Sequence, residues 1–131
     1  MTIEQFAQKH HARTRDESGE TYIPGTPWPD GRYGHQIYEH GNGRLALLLM
    51  FPVDGGSKSA KWVNARKKLL NAGFTIKQDG DAEGVMLFNP EDKTQARLAL
   101  KLAGIRTRQL SAERKAALAL QLAAARANRA A

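Results

Sequence analysis

Ten lysine and arginine side chains beyond residue 56 could bind a polyanion, and no other set of residues offers a comparably clear chemistry. They are Lys58, Lys61, Lys68, Lys93, Arg97, Lys101, Arg106, Arg108, Arg114 and Lys115. Lys93, Arg97 and Lys101 follow one another at a spacing of four, which places them along one side of a helix. Cations gathered on one surface contact backbone phosphates without strong sequence choice. We therefore predict a nucleic-acid interface at these residues.

The distribution of charge favours the same prediction. The formal net charge is +7. Residues 1–56 hold five Lys/Arg and seven Asp/Glu, a balance of −2, whereas residues 57–131 hold fifteen and six, a balance of +9. Such asymmetry indicates that the second part faces a polyanion, although a basic solubilising surface would give the same pattern. Tyr33 and Tyr38 could add stacking on bases.

The sequence contains no convincing motif for a metal or a nucleotide. His35 and His40 are five residues apart on a predicted strand, so they point to opposite faces and cannot easily share one ion. The loop 54–59 resembles a phosphate cradle, but a serine precedes Lys58 and Pro52 stands where the first glycine of the Walker pattern belongs. This loop is either a plain turn or a contact for a backbone phosphate. We expect no metal and no cofactor.

A catalytic group is no better supported. Tyr33, His35 and Glu39 could form an acid–base group on one face of the first predicted strand, with Asp30 nearby in the sequence. The sequence contains no nucleophilic serine motif that could work with them, and no second carboxylate at a spacing typical of catalysis. Polar residues on the open face of a hairpin are the commoner explanation. We expect a binding protein without catalytic residues.

The composition also bears on the compartment. There is no cysteine, which excludes thiolate catalysis and cysteine-type zinc sites and is typical of a reducing compartment. The longest apolar run, residues 45–51, is far shorter than the roughly 20 residues that a membrane helix needs. The first residues lack the charged start and apolar centre of a secretory signal. We expect a cytoplasmic protein without a membrane partner.

Two hairpins and two helices are predicted to position the cations. Residues 33–40 and the apolar run 45–51 flank a Gly-Asn-Gly turn, which indicates a hairpin. An amphipathic basic helix over 58–72 follows. Residues 74–79 and 85–88 form the second hairpin. Asn89 and Pro90 are typical of a helix start, and the second helix ends at Gly104.

The ends of the chain show different patterns. Residues 2–12 could form a short helix, whereas Arg13–Gly31 contains three prolines within six residues and is predicted to be a surface loop. A basic connector over 105–110 leads to an alanine-rich helix, Ala112 to about Ala127. This helix is apolar nearly all round between residues 116 and 125, so it could pack on the domain or on a copy of itself.

These elements predict an α+β fold of one domain. The expected core, residues 32–104, is a two-layer ββαββα-like arrangement with a four-stranded sheet and helices on one face, plus the C-terminal helix. Residues 1–31 form the N-terminal helix and arm, and residues 105–131 form the connector and last helix.

We predict a small, non-enzymatic protein that binds DNA or RNA through its basic helices. The alternative is a protein-interaction module, such as an accessory or inhibitor protein of a phage or mobile element. Its basic patch would dock an acidic protein, and its C-terminal helix would mediate assembly.

Overall fold

The computed structural model describes residues 1–27, 34–51, 59–105, 117 and 119–126. Its complete elements are α1 (Ile3–Lys9), β1 (Arg15–Glu17), β2 (Glu20–Pro24), β3 (Gln36–Gly41), β4 (Arg44–Met50), α2 (Ala60–Asn71), β5 (Thr75–Asp79), β6 (Glu83–Phe88) and α3 (Lys93–Ala103). Residues 117 and 119–126 are also helical. Of the predicted site residues, Tyr33, Lys58, Arg106, Arg108, Arg114 and Lys115 lie outside the described residues.

The sheet has six strands in the order β1-β2-β3-β4-β6-β5, and all neighbours are antiparallel. The α+β class is therefore confirmed, whereas the predicted number of four strands is wrong. The two extra strands come from the segment predicted to be a loop. Ser18 and Gly19 both have positive φ, 52° and 81°, and form the two-residue turn between β1 and β2. Pro24 is the last residue of β2, so it does not interrupt the strand.

One face of the sheet carries the core. Across β2, β3, β4 and β6, one residue from each strand lies in register: Ile23, Ile37, Leu47 and Met86. All four are fully buried. The same hydrophobic cluster contains the buried residues of α1, α2 and α3. The three helices therefore cover this one face, with α1 over β2 and β3, α3 over β3 and β4, and α2 over β5 and β6.

The short helix α1 is set by its cap and its apolar residues. Thr2 and Gln5 form a capping box, in which each side chain accepts a hydrogen bond from the backbone N–H of the other. Ile3, Phe6 and Ala7 are buried, and the Phe6 ring packs edge-on against Phe88. These contacts anchor α1 on the sheet.

Helix α2 is held over the second hairpin by Trp62. A side chain at Gly84 would overlap the Trp62 ring, so this strand position needs a glycine. The indole Nε1 donates to Asp79 Oδ1 at 2.8 Å, and Arg66 Nη1 pairs with Asp79 Oδ2 at 2.6 Å. Ser59 is the N-cap residue but makes no side-chain capping bond.

Helix α3 begins three residues later than its predicted cap would give. Asp92 is the N-cap, and its carboxylate accepts from the N–H groups of Thr94 and Gln95 at 2.9 and 3.1 Å. Asn89 instead accepts from the N–H of Glu91 within a turn before the helix. The helix ends, as predicted, at Gly104 with φ 67°.

Candidate nucleic-acid interface

A groove between α1 and α3 collects four cations. It has a volume of about 410 Å³. Lys9 contributes from α1, and Lys93, Arg97 and Lys101 contribute from α3. The remaining lining residues are His10, Pro90, Ala96, Leu100 and Ile105. Three of the predicted site residues thus share one groove with a lysine that the sequence interpretation did not include.

The apolar arc of α3 explains why its cations face α1. Ala96, Ala99, Leu100 and Ala103 are buried against the sheet. The cations at spacing four lie on one flank of that arc. The sequence did not indicate Lys9, because this residue precedes α3 by some ninety residues in the chain. Its proximity to α3 depends on how α1 packs across β2 and β3. Its place as the last residue of a short amphipathic helix was the only available signal.

The four cations of the groove are not neutralised by ion pairs among the described residues. Among the described residues, none of the four cations forms a salt bridge; the described salt bridge joins Arg66 to Asp79 on the far side of the helix layer. Asp92 directly precedes Lys93, but its carboxylate caps the start of α3. Unpaired cations around a concave surface attract and hold an anion better than scattered ones do.

His10 lies at the end of α1 beside these cations. Its ring packs on Phe6 with centroids 4.5 Å apart, and its Nε2 atom is buried without a hydrogen-bond partner among the described residues. Burial first, and then the charges of Lys9 and His11, lower the pKa of His10. The imidazole is therefore neutral at pH 7, and an anion bound in the groove would raise its pKa again.

The predicted cations of α2 lie elsewhere on the helix layer. Lys61 and Lys68 are exposed on the flank opposite Arg66. The side of α3 that meets α2 is marked by Gln95, whose Nε2 donates to Ala72 O at 3.1 Å. Arg97 is about 200° around the helix from Gln95. Helix α3 itself therefore separates the two groups of cations, and a surface that joins them stays a prediction.

Tyr38 lies on the other face of the sheet, opposite the helices. It pairs with Tyr22 across β2 and β3, and Lys77 Nζ lies 5.9 Å from its ring centroid. Burial, and then the charge of Glu20, raise the pKa of Tyr38. A carboxylate close to the ring disfavours a polyanion there, so base stacking on Tyr38 stays a prediction that is separate from the groove.

The residues of the proposed acid–base group have structural partners. Met50 N–H donates to His35 Nδ1 at 3.0 Å, and the His35 ring packs edge-on against Phe51. Burial lowers the pKa of His35, in keeping with a neutral ring whose Nδ1 is an acceptor. Glu39 Oε1 accepts from the N–H of Ile3 at the start of α1. His35 therefore joins β3 to β4, and Glu39 anchors α1.

The described residues offer neither a metal-binding cluster nor a helix that could cross a membrane. Within those ranges, no three His, Asp or Glu residues come close enough together to hold a metal ion. None of the helices in the described part of the chain combines the length and the apolar character that crossing a membrane requires. No family model, curated protein or solved structure matches this chain. The groove between α1 and α3 remains the described surface whose side chains favour binding of an anion.

Proposed function

We propose that this protein is a non-enzymatic, cytoplasmic nucleic-acid-binding protein whose α1–α3 groove holds backbone phosphates. The observation that carries the proposal is the convergence of Lys9 with Lys93, Arg97 and Lys101 on one concave surface without a described acidic partner. Phosphate contacts of this kind give affinity and position a nucleic acid without reading its sequence.

The floor of the groove favours a phosphate backbone over an acidic peptide. Ala96 and Leu100 line it, yet they are only 1% and 6% exposed, because both already pack into the core. A peptide partner gains much of its affinity from apolar side chains buried at the centre of the contact. This floor offers little area for such burial, so most of the available binding energy is electrostatic.

Other predicted residues extend this proposal. Lys61 and Lys68 would contact a longer nucleic acid across the helix layer. The same role is proposed for the cations outside the described residues, which are Lys58, Arg106, Arg108, Arg114 and Lys115. An acidic protein that docks in the groove is the alternative partner, and self-association through the C-terminal helix is a separate proposal.

A salt titration against duplex DNA and single-stranded RNA tests the proposal. If four cations each neutralise one phosphate, log K falls with log salt with a slope of about −3.6 for DNA and about −2.8 for single strands. The measurement is fluorescence anisotropy of a labelled oligonucleotide at several salt concentrations. No binding to either nucleic acid at low salt would overturn the proposal and leave the acidic protein as the partner to test.

A double variant, Arg97→Gln/Lys101→Gln, locates the contact. Both changes keep helix-forming side chains, so α3 should remain folded. We expect weaker binding and a salt slope reduced by about 1.8 for DNA, because two phosphate contacts are lost. The matched control is Arg15→Gln/Arg44→Gln, which removes the same charge from β1 and β4. An equal loss of slope in both double variants would mean that the whole molecular charge acts and the groove does not.

A further inference from the structure

The sheet face opposite the helices carries a row of apolar side chains of which Tyr38, Leu48 and Leu87 are half-buried, whereas Tyr22, Ala46 and Val85 are buried between their neighbours. In one row across the strands, Tyr22, Tyr38, Ala46 and Leu87 lie in register. The next row contains Gln36, Leu48, Val85 and Gln78. None of these residues belongs to the core cluster under the helices. We call this surface the open face.

A groove of about 570 Å³ runs over the open face. It is lined by Glu17, Ser18, Glu20, Thr21, Tyr22, Gln36, Tyr38, Leu48, Gln78 and Val85. Four of these residues, Tyr22, Tyr38, Leu48 and Val85, are aromatic or aliphatic. Among the described lining residues the charged ones are two glutamates at the β1–β2 hairpin, and the others are polar. This composition disfavours a nucleic acid and suits an apolar segment that ends in a cation.

The C-terminal helix has that composition. Between residues 116 and 125 it is apolar apart from Gln121, and Arg126 follows directly. Its described side chains are all exposed, with Leu120 at 72% and Leu122 at 60%. A helix that is apolar all round is normally buried. Here the described side chains of the helix, at 117 and 119–126, are not buried within their own chain.

We propose that the C-terminal helix of a second copy lies across the open face and that the exchange is reciprocal. A helix from residue 117 to residue 126 is about 15 Å long. The three strand spacings from β2 through β3 and β4 to β6 also cover about 14 Å. The apolar part of the helix therefore matches the apolar width of the floor, and Arg126 is directed to the Glu17 and Glu20 end.

Reciprocal exchange explains why one chain carries both halves of the contact. The occupant is assigned to a second copy because the described side chains of the helix are exposed in its own chain. Two identical contacts related by a two-fold axis form a closed dimer and leave neither apolar surface in water. The proposal does not depend on nucleic-acid binding, since the open face and the cationic groove lie on opposite sides of the sheet.

The first experiment measures the mass of the full chain by sedimentation over a range of protein concentrations, without nucleic acid. We expect a dimer that dissociates on dilution. Leu120→Glu/Leu122→Glu should be monomeric at every concentration, because it places two charges on the helix while glutamate keeps good helix propensity. The control is Leu70→Glu, an exposed leucine on α2 at 44% exposure, which should leave the dimer unchanged.

The second experiment separates the two halves of the contact. Leu48→Glu disrupts the open face and leaves the helix intact, so this variant should also be monomeric. Circular dichroism and a cooperative thermal transition show that each variant is folded. When the Leu48→Glu and Leu120→Glu/Leu122→Glu chains are mixed, one intact contact remains possible, and we expect a heterodimer weaker than the wild-type dimer.

Three results would overturn the proposal. The first is a wild-type chain that stays monomeric at all concentrations. The second is a helix variant that remains dimeric. The third is a mixture of the two variants that forms no heterodimer although both chains are folded, since this would mean that the helix and the open face do not bind each other.

Discussion

The two sides of the sheet differ in how their charges are arranged. On the helix side, the α1–α3 groove collects four cations, and none of its described lining residues is a carboxylate. On the open face the signs are mixed: the charged side chains on this face or in contact with it are Arg15, Arg44, Lys77, Glu17, Glu20 and Glu83. A single-sign concave surface suits a polyanion, whereas a mixed rim around an apolar floor suits a protein. The net charge of the whole chain, +7, does not distinguish these two surfaces.

Strand β4 contributes to both surfaces through its alternation. Leu45, Leu47 and Leu49 face the helices and are each 0% exposed. Leu48 points to the open face and is only half-buried. The unbroken apolar run in the sequence thus faces a packed core on one side, whereas on the other side Ala46 is buried between larger neighbours and Leu48 is half-buried. Neighbouring leucines on this strand can therefore report on each side separately.

The largest expected effect is the difference between Leu47→Ala and Leu48→Ala. Leu47→Ala should lower the free energy of unfolding by about 2–5 kcal/mol, because it opens a cavity in a closed core. Leu48→Ala should cost about 1 kcal/mol or less in the dilute monomer, since a half-buried side chain on an uncovered surface loses less. Urea denaturation at low protein concentration measures both. Equal costs would mean that the open face is covered within the monomer.

A smaller effect is expected where the groove depends on the cap of α3. Asp92→Ala removes the acceptor for the N–H groups of Thr94 and Gln95 and should cost about 1 kcal/mol. Asp92→Asn keeps an acceptor and should remain close to the wild type in stability. Denaturation curves of the two variants decide this. If the asparagine variant were as unstable as the alanine variant, the carboxylate charge and not the cap would be the important feature.

The smallest expected effect is the response to pH of the two half-buried histidines, His10 and His35. The pKa values of His10 and His35 are both lowered from 6.5 by burial. Between the lowered pKa values and 6.5, the unfolded chain binds more protons than the folded chain. The contribution of the two neutral histidines to stability is therefore complete above pH 6.5 and is lost as the pH falls through the lowered pKa values. His35→Gln should flatten part of this fall, measured as the midpoint of urea denaturation against pH.

The same titration distinguishes the two regions. Inorganic phosphate should raise the pKa of His10, which lies in the cationic groove, and leave that of His35 unchanged. The histidine ring resonances followed by NMR against pH provide the measurement. A phosphate-induced shift at His35 of the same size would contradict a groove-specific anion site.

Much of the central fold could be predicted from local signals. The turn at Asn42, the glycine that ends α3 and the apolar run of β4 each act within a few residues, and each lies where it was expected. The β1–β2 hairpin was missed because Ser18 and Gly19 form a two-residue turn that nearby prolines obscured. Pro24 does not interrupt the strand because it ends it.

The sequence by itself determined the α+β class, the basic helices and the line of three cations on α3, since these follow from periodicity, turn chemistry and charge along the chain. Only the tertiary structure decided that Lys9 joins that line, that the α2 cations lie on the other side of α3, and that Tyr38 lies on the opposite face of the sheet. The physical reason is that each of these facts depends on packing between segments far apart in sequence. Packing is set by the burial of whole faces, and no local pattern specifies which faces meet.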